Sequence, residues 1–322
     1  MNRPVAWVPY PTEAAARQVL GADLDLELVP FLTNTEPPEG LDEVEFLVLP
    51  YAQKQDVILQ RAAEMPRLRV VQGQMAGTDA INHLIPEGVT LCNAAGVHDT
   101  ATAEIAVGLA LSRGRNLDGY ARDQVEGRWQ PVWGRGLADA RVLILGYGNI
   151  GRAIERRVRG FEPASITRVA TSARTDQLDG DPVDVRAIDE LADLLAGTDV
   201  LFIITPLTER THGLIDAHAL AALPDGAMVV NAGRGPIVDT AALVAECASG
   251  RLQAALDVID PEPVPADHPL RTTPNVLFSP HVGGLTNAFF PRRDALLRSQ
   301  LEKFAAGHQL ANVVTVGPLL KG

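Results

Sequence analysis

Cysteine is almost absent: Cys92 and Cys247 are the only two, far apart, with no CxxC pattern and no histidine partner at ligand spacing. Neither a disulfide framework nor a structural zinc or other metal site is therefore expected, and a reducing cytoplasm is the simplest home. Lysine is as scarce. Lys54, Lys303 and Lys321 are all there are, so nearly every positive charge is a guanidinium. Long apolar runs are missing as well: no stretch approaches the ~18 residues of a membrane span. The start MNRPVAWVPYPTEAAAR places prolines where a signal peptide would need its apolar run. Positive charge is in deficit, with 28 Lys+Arg against 40 Asp+Glu and a net charge of −12. That potential repels polyphosphate backbones and anionic lipid, so nucleic-acid and membrane partners are not expected, and an anionic ligand needs a local cationic site.

What is present is the composition of a globular protein, 46% hydrophobic and 21% charged over 322 residues. A chain of this length is expected to form two domains with full cores. Val5 to Val8, Leu24 to Val29, Glu45 to Leu49, Leu68 to Gln72 and Val89 to Cys92 read as strands with helical patterns between several of them, the signature of a parallel sheet wrapped by helices. A long helix is predicted from about Thr100 to Arg115, with Asp99 or Thr100 as its N-cap and Glu104 favourably placed for the helix dipole. Residues 116–140 show charges, glycines and two tryptophans without a period, and read as an arm or irregular connection in which Trp129 and Trp133 are packing residues. Six more strands follow: RVLIL (141–145), SITRVA (165–170), DVLFII (199–204), GAMVVN (226–231), LQAALDV (252–258) and NVLFSP (275–280). Six strands alternating with helices suit a dinucleotide-binding sheet. A last helix (RRDALLRSQLEKFAAG) and a short apolar tail close the chain.

The sequence GYGNIG, with Gly146, Gly148 and Gly151 around Asn149 and Ile150, lies directly between the strand RVLIL and the helical RAIERRVRGF. In that setting the first glycine makes a tight turn, the second admits a pyrophosphate to the backbone, and the third lets helix pack on strand. An NAD site usually carries an acid about 20 residues on, accepting from the ribose 2′-hydroxyl. Here Thr171, Ser172 and Arg174 follow the second strand, and no acid comes before Asp176. Hydroxyls and a guanidinium suit a 2′-phosphate, so NADP is favoured over NAD.

Three polar residues follow the last three strands, where ligands bind in an open parallel sheet: Arg234 in NAGRGPIVD, Glu262 in ALDVIDPEP and His281 in FSPHVGG. Each alone has a plain explanation, as a turn residue, a loop carboxylate and a core imidazole. Together beside a nicotinamide they fit the reduction of a ketone. Charge develops on the carbonyl oxygen, which calls for a proton donor of near-neutral pKa and a fixed cation for a neighbouring carboxylate. His281 would be the acid/base, Glu262 would orient it and keep it charged, and Arg234 would grip the substrate through its planar fork.

These motifs resemble the D-isomer-specific 2-hydroxyacid dehydrogenase family. GYGNIG, TPLTERTHGLI (205–215), NAGRGPIVD, ALDVIDPEP and SPHVGG follow the family's order and spacing over essentially the whole chain. The resemblance implies the same roles for Arg234, Glu262 and His281. It implies that backbone amides around Ala76 and Gly77 in QMAGTD bind the substrate carboxylate, and that Asp257 binds the nicotinamide carboxamide. Thr102 would face the nicotinamide, Thr205 and Pro206 would border the adenosine, and Ala232 and Gly283 would belong to the cofactor contacts. The departure from the family pattern is the missing acid near Thr171.

The fold implied is α/β, two Rossmann-like or flavodoxin-like domains with parallel sheets and a cleft between them. The substrate-binding domain would be 1–95 rejoined by 288–322, and the dinucleotide-binding domain 96–287, hinged so that closure brings QMAGTD over the substrate. The resemblance also implies a homodimer through the helix from Thr100 and the arm around Trp129. Tyr51 and Met75 are expected near the substrate side chain, in a pocket for small 2-keto acids such as glyoxylate, hydroxypyruvate or pyruvate analogues. Two other readings share the fold. A formate dehydrogenase places an amide where this chain has Glu262, and a redox-inactive NAD(P)-sensing protein of the corepressor type would bind the cofactor without turning it over.

Overall fold

The structure, a computed structural model, describes residues 3–32, 37, 39–51 and 55–314. The last part of the predicted apolar tail, 315–322, lies outside the described residues. In chain order the elements are β1 (Val5–Val8), α1 (Glu13–Leu20), β2 (Glu27–Pro30), β3 (Val44–Val48), α2 (Gln55–Leu59), β4 (Val70–Gln72), β5 (Thr90–Cys92), α3 (Asp99–Gly114) and α4 (Leu117–Val125). They continue with β6 (Arg141–Leu145), α5 (Asn149–Val158), β7 (Ser165–Ala170), β8 (Arg174–Leu178), β9 (Asp181–Ala187), α6 (Leu191–Leu195), β10 (Val200–Ile203), α7 (Ala217–Ala222) and β11 (Met228–Asn231). The remainder are α8 (Thr240–Ala248), β12 (Gln253–Leu256), β13 (Val276–Phe278), α9 (Phe289–Ala305) and β14 (Val313–Val314).

The chain divides into two compact units, 1–98 with 287–322 and 99–286. The first holds a sheet in the order β14-β5-β4-β3-β1-β2, parallel except where β14 runs against β5. All four residues of β1, VAWV, are buried, because helices cover a parallel sheet on both faces. Thr12 starts α1 by accepting the Ala15 amide at 3.1 Å, and Glu13 in its first turn favours the dipole. Gln72 and Gln300, both fully buried, tie β4 to α9 through a 2.9 Å amide bond.

The second unit holds an eight-stranded sheet, β13-β12-β11-β10-β6-β7-β9-β8. Only the β8–β9 pair is antiparallel. The alternation within RVLIL explains its central place: Leu143 and Leu145 enter one apolar cluster, with Leu220 and Leu243 of α7 and α8. Val142 and Ile144 enter the other, with Ala103, Ala106 and Ile154 of α3 and α5. Side chains of period two thus supply both faces of a doubly covered sheet. Chain connections leave β6 on one side to β7 and later return on its other side at β10, so the order reverses beside the end of β6. That is where such sheets bind ligands.

Four expectations need correction. The six-stranded reading omitted the hairpin β8–β9, whose β9 pairs with β7. Its segments RTDQL and DPVDVRA are short of apolar residues because only Leu178, Val183 and Val185 are buried. Residues 117–125 form α4 instead of an irregular arm. Asn116 at φ 55° breaks the helical path after α3, and buried Arg113 clamps the elbow through Asp118 at 2.6 Å and Asn116 at 2.8 Å. Trp129 and Trp133 are not packing residues, being 95% and 104% exposed. The long helix starts one residue earlier than predicted, with Asp99 inside it rather than at the cap. No helix among the described residues is long and apolar enough to cross a membrane.

Candidate active site

The glycine loop follows β6 directly. A Cβ on Gly146 would lie 2.5 Å from the Thr205 amide nitrogen beyond β10, and one on Gly151 would lie 2.4 Å from the Gly146 carbonyl oxygen. No larger residue fits either place, which is the physical content of the first and third glycines. Gly148 and Asn149 are exposed at the start of α5, and no side chain caps that terminus. Open first-turn amides at the positive end of a ten-residue helix suit a pyrophosphate, so the residues present fit a dinucleotide. Ile150 is half-buried against the apolar cluster below. Thr205 and Ala232 are buried just beyond β10 and β11, while Pro206 is exposed and its carbonyl accepts the Thr211 hydroxyl at 2.7 Å.

Thr171 and Ser172 are exposed just beyond β7. Arg174 opens β8 and swings back to the glycine loop, where its Nη2 donates to the Tyr147 carbonyl at 2.8 Å. It also pairs with Asp176 at 3.1 Å. The acid missing from the end of β7 is thus present nearby, bonded to the very guanidinium expected to take a phosphate.

Arg234, Glu262 and His281 come from the ends of three neighbouring strands, β11, β12 and β13, and the structure brings them together. His281 Nδ1 lies 2.9 Å from Glu262 Oε2, and Glu262 Oε1 accepts the Ile259 amide at 2.8 Å. Both carboxylate oxygens are therefore fixed, and the imidazole's Nε2 is left to point elsewhere. The Glu262 hydrogen bond raises the His281 pKa above its usual 6.5, with burial opposing and the charge of Asp257 assisting. Burial alone would push Glu262 up, but the bonds from His281 and the Ile259 amide hold it below the ordinary carboxylate range. The Arg234 charge reaches both groups, lowering each. Arg234 Nη1 donates to the Gly233 carbonyl at 2.8 Å, which orients the fork. Gly235 explains how the two loops meet: a Cβ there would sit 2.0 Å from the Ile259 carbonyl oxygen.

His281 sits at φ 53°, a left-handed conformation that costs a branched or bulky residue about 1 kcal/mol or more. Asp257, buried and held under this turn, makes it possible. Its Oδ1 accepts the Ser279 hydroxyl at 2.6 Å and the Val282 amide at 2.9 Å, and its Oδ2 accepts the Gly283 amide at 2.8 Å. The His281 amide donates to the Asp257 carbonyl at 2.9 Å. Three donors leave Oδ2 with unused acceptor capacity. Thr102 of α3 completes this wall, its Cγ2 lying 3.6 Å from where a Gly283 Cβ would be.

The residues assigned to substrate all lie in the first unit. The Met75 carbonyl accepts the Ala94 amide at 2.9 Å and the Ala76 carbonyl accepts Asn93 Nδ2 at 2.8 Å, while Gly77 is half-buried. Tyr51 packs on Phe289 with ring centroids 4.4 Å apart.

Sequence reading missed Asn231 and Ser279, and it noted Asp176 without its arginine partners. Asn231 is buried at the end of β11, takes the Gly233 amide at 3.1 Å and donates to the Arg234 carbonyl at 3.0 Å, so it shapes the arginine's loop. An asparagine ending an apolar run two residues before a glycine was the available signal. Ser279 offered none, because its partner Asp257 is 22 residues away.

Residues 107–283 match the family model described as D-isomer specific 2-hydroxyacid dehydrogenase, NAD binding domain. A glyoxylate/hydroxypyruvate reductase B of Yersinia enterocolitica is 32% identical over 268 residues, covering 80% of each chain. The glyoxylate reductase/hydroxypyruvate reductase of Mus musculus is 31% identical over 293 residues, 86% of this chain and 87% of that one. Among solved structures, a D-isomer specific 2-hydroxyacid dehydrogenase from Xanthobacter autotrophicus Py2, in complex with NADPH and MES, superposes with a TM-score of 0.78 at 26% identity, over 98% of this chain and 99% of that one. The paired sheets, the glycine loop and these relatives agree, and the chain belongs to the D-isomer specific 2-hydroxyacid dehydrogenase family of NAD(P)-dependent oxidoreductases.

Proposed function

We propose that this enzyme reduces a small 2-keto acid, of the size of glyoxylate or hydroxypyruvate, to the D-2-hydroxy acid, with NADP(H) preferred. The observation that carries the reading is the 2.9 Å contact between His281 and Glu262 within the field of Arg234. A bound reduced nicotinamide supplies the hydride for the keto carbon. His281, held as imidazolium by Glu262, donates the proton that the carbonyl oxygen needs as its charge develops. Arg234 grips the substrate carboxylate and the polarised oxygen, and is a fixed cation in place before the charge forms. Asp257 holds the turn that aims His281 and keeps acceptor capacity for the carboxamide. In the first unit, the amides of Ala76 and Gly77 are assigned to the carboxylate, and Tyr51 and Met75 to the side chain.

The preference for NADP(H) rests on Thr171, Ser172 and Arg174, and draws support from the NADPH in the Xanthobacter relative. The test is oxidation of NADPH and NADH, followed at 340 nm, against glyoxylate, hydroxypyruvate, pyruvate and branched 2-keto acids. Turnover with at least one of the small acids is expected, and binding of NADPH without turnover on any of them contradicts the reading.

The raised His281 pKa sets the pH dependence. Reduction needs the protonated ring, so its rate holds below that pKa and falls as pH rises through it. Oxidation needs the neutral ring and behaves oppositely. Glu262→Gln removes the main cause of the rise. The alkaline fall of its reductive pH profile should move to lower pH, and an unshifted fall would show that Glu262 does not govern His281.

A homodimer completes the proposal, with α3 and the segment around Trp129 as its interface. Val125 and Val132 are exposed beside the two exposed tryptophans, an apolar surface that water disfavours. Sedimentation equilibrium should return twice the chain mass of 34.4 kDa, and a monomer at micromolar concentration contradicts it.

A further inference from the structure

The β8–β9 hairpin carries Asp176 to the flank of the glycine loop and sets it between two guanidinium groups. Arg152 of α5 donates to its Oδ2, and Arg174 reaches the same oxygen from Nε at 3.2 Å and Nη2 at 3.1 Å. The other oxygen accepts the Gln177 amide at 2.8 Å. Little of the carboxylate is left to water, its side chain being 16% exposed. Between the two arginines lies Tyr147 of the loop itself. Arg152 stands 5.5 Å from its ring centroid, and Arg174 holds its carbonyl. The remaining arginines here are committed. Glu155, completely buried, takes the Tyr147 hydroxyl at 2.6 Å, Arg168 Nε at 2.7 Å and Arg159 Nε at 3.1 Å. Arg152 and Arg174 both pair with one carboxylate, and Arg174, two residues from Ser172, keeps 37% of its side chain exposed.

We infer that Asp176 is a specificity-determining residue for the dinucleotide: its carboxylate occupies the Arg174 donors that a 2′-phosphate needs, and so restrains the preference for the phosphorylated cofactor. This rests on the reading that the adenosine ribose lies beyond β7. A 2′-phosphate brings a charge of about −1.5 to −2. It must draw Arg174 away from Asp176 or share it, and it meets the like charge of that carboxylate either way. A 2′-hydroxyl meets neither obstacle. Asp176→Asn keeps the size and one acceptor while removing the charge, so it should release the restraint.

The test needs no turnover. Adenosine 2′,5′-bisphosphate and 5′-AMP are titrated calorimetrically into the full chain, wild type and variants, with AMP as the internal control for an intact site. Asp176→Asn and Asp176→Ala should each tighten the bisphosphate about tenfold relative to AMP, and Arg174→Ala should weaken it about tenfold. If Arg174→Ala weakens the bisphosphate while neither Asp176 variant tightens it, the inference is overturned and the position of the ribose stands. If Arg174→Ala leaves the ratio of the two ligands unchanged, the position of the ribose is wrong and the inference falls with it.

Discussion

Replacing His281 should lower the reductive kcat by about 10²- to 10⁴-fold, the range spanned by a positioned general acid, while NADPH binding stays within a few-fold of wild type. The choice of replacement matters because His281 sits at φ 53°. Alanine there adds backbone strain to the loss of the imidazole, whereas asparagine tolerates the left-handed region. The turn itself does not depend on the ring: its bonds run from the His281, Val282 and Gly283 amides to Asp257. His281→Asn should therefore fold and bind cofactor with the site otherwise intact. Parallel losses in His281→Asn and His281→Ala, read by steady-state kinetics beside NADPH fluorescence titration, assign the effect to the missing proton donor. Retention of a tenth or more of wild-type kcat in His281→Asn would remove the residue from the chemistry.

Arg234→Ala should cost about 10²- to 10³-fold in kcat/KM, the loss typical of one preorganised donor to a developing oxyanion, with further loss through a raised KM for the keto acid. Arg234→Lys keeps the charge but not the fork, and should recover only part of the rate. A second consequence separates electrostatics from shape. The Arg234 charge lowers the His281 pKa, so in Arg234→Ala the alkaline fall of the residual reductive rate should move to higher pH. Lysine should restore its position. A variant with unchanged KM and an unchanged pH profile would place the arginine outside the site.

Much of this arrangement is legible in the sequence, because it depends on local order. RVLIL followed at once by GYGNIG specifies a buried strand, a turn and a helix start within eleven residues. Arg234, Glu262 and His281 each follow a short apolar run, and strands laid side by side bring their ends together without further instruction. What escaped reading depends on pairing over distance or on a balance of weak signals. RTDQL and DPVDVRA look like loop sequence because the hairpin ends the sheet: only Leu178, Val183 and Val185 reach the core, and Arg152–Asp176 and Arg156–Asp179 ion pairs join its polar side to α5. The helix α4 has polar residues on most of its surface and depends on the Arg113 clamp behind it. Trp129 and Trp133 defeat the rule that large aromatics are buried, which holds on average and does not hold for these two side chains. Asp176 carries no motif; only the folded hairpin reveals which guanidinium groups it faces.

The central claim is a transfer of hydride to the keto carbon, with a stereochemical outcome. The most direct measurement supplies the enzyme with hydroxypyruvate and reduced nicotinamide cofactor carrying deuterium at both C4 positions, then examines the product by mass spectrometry and chiral chromatography. One deuterium on C2 of D-glycerate for each cofactor oxidised is the result predicted. Product without deuterium at C2, or of the L configuration, would contradict it.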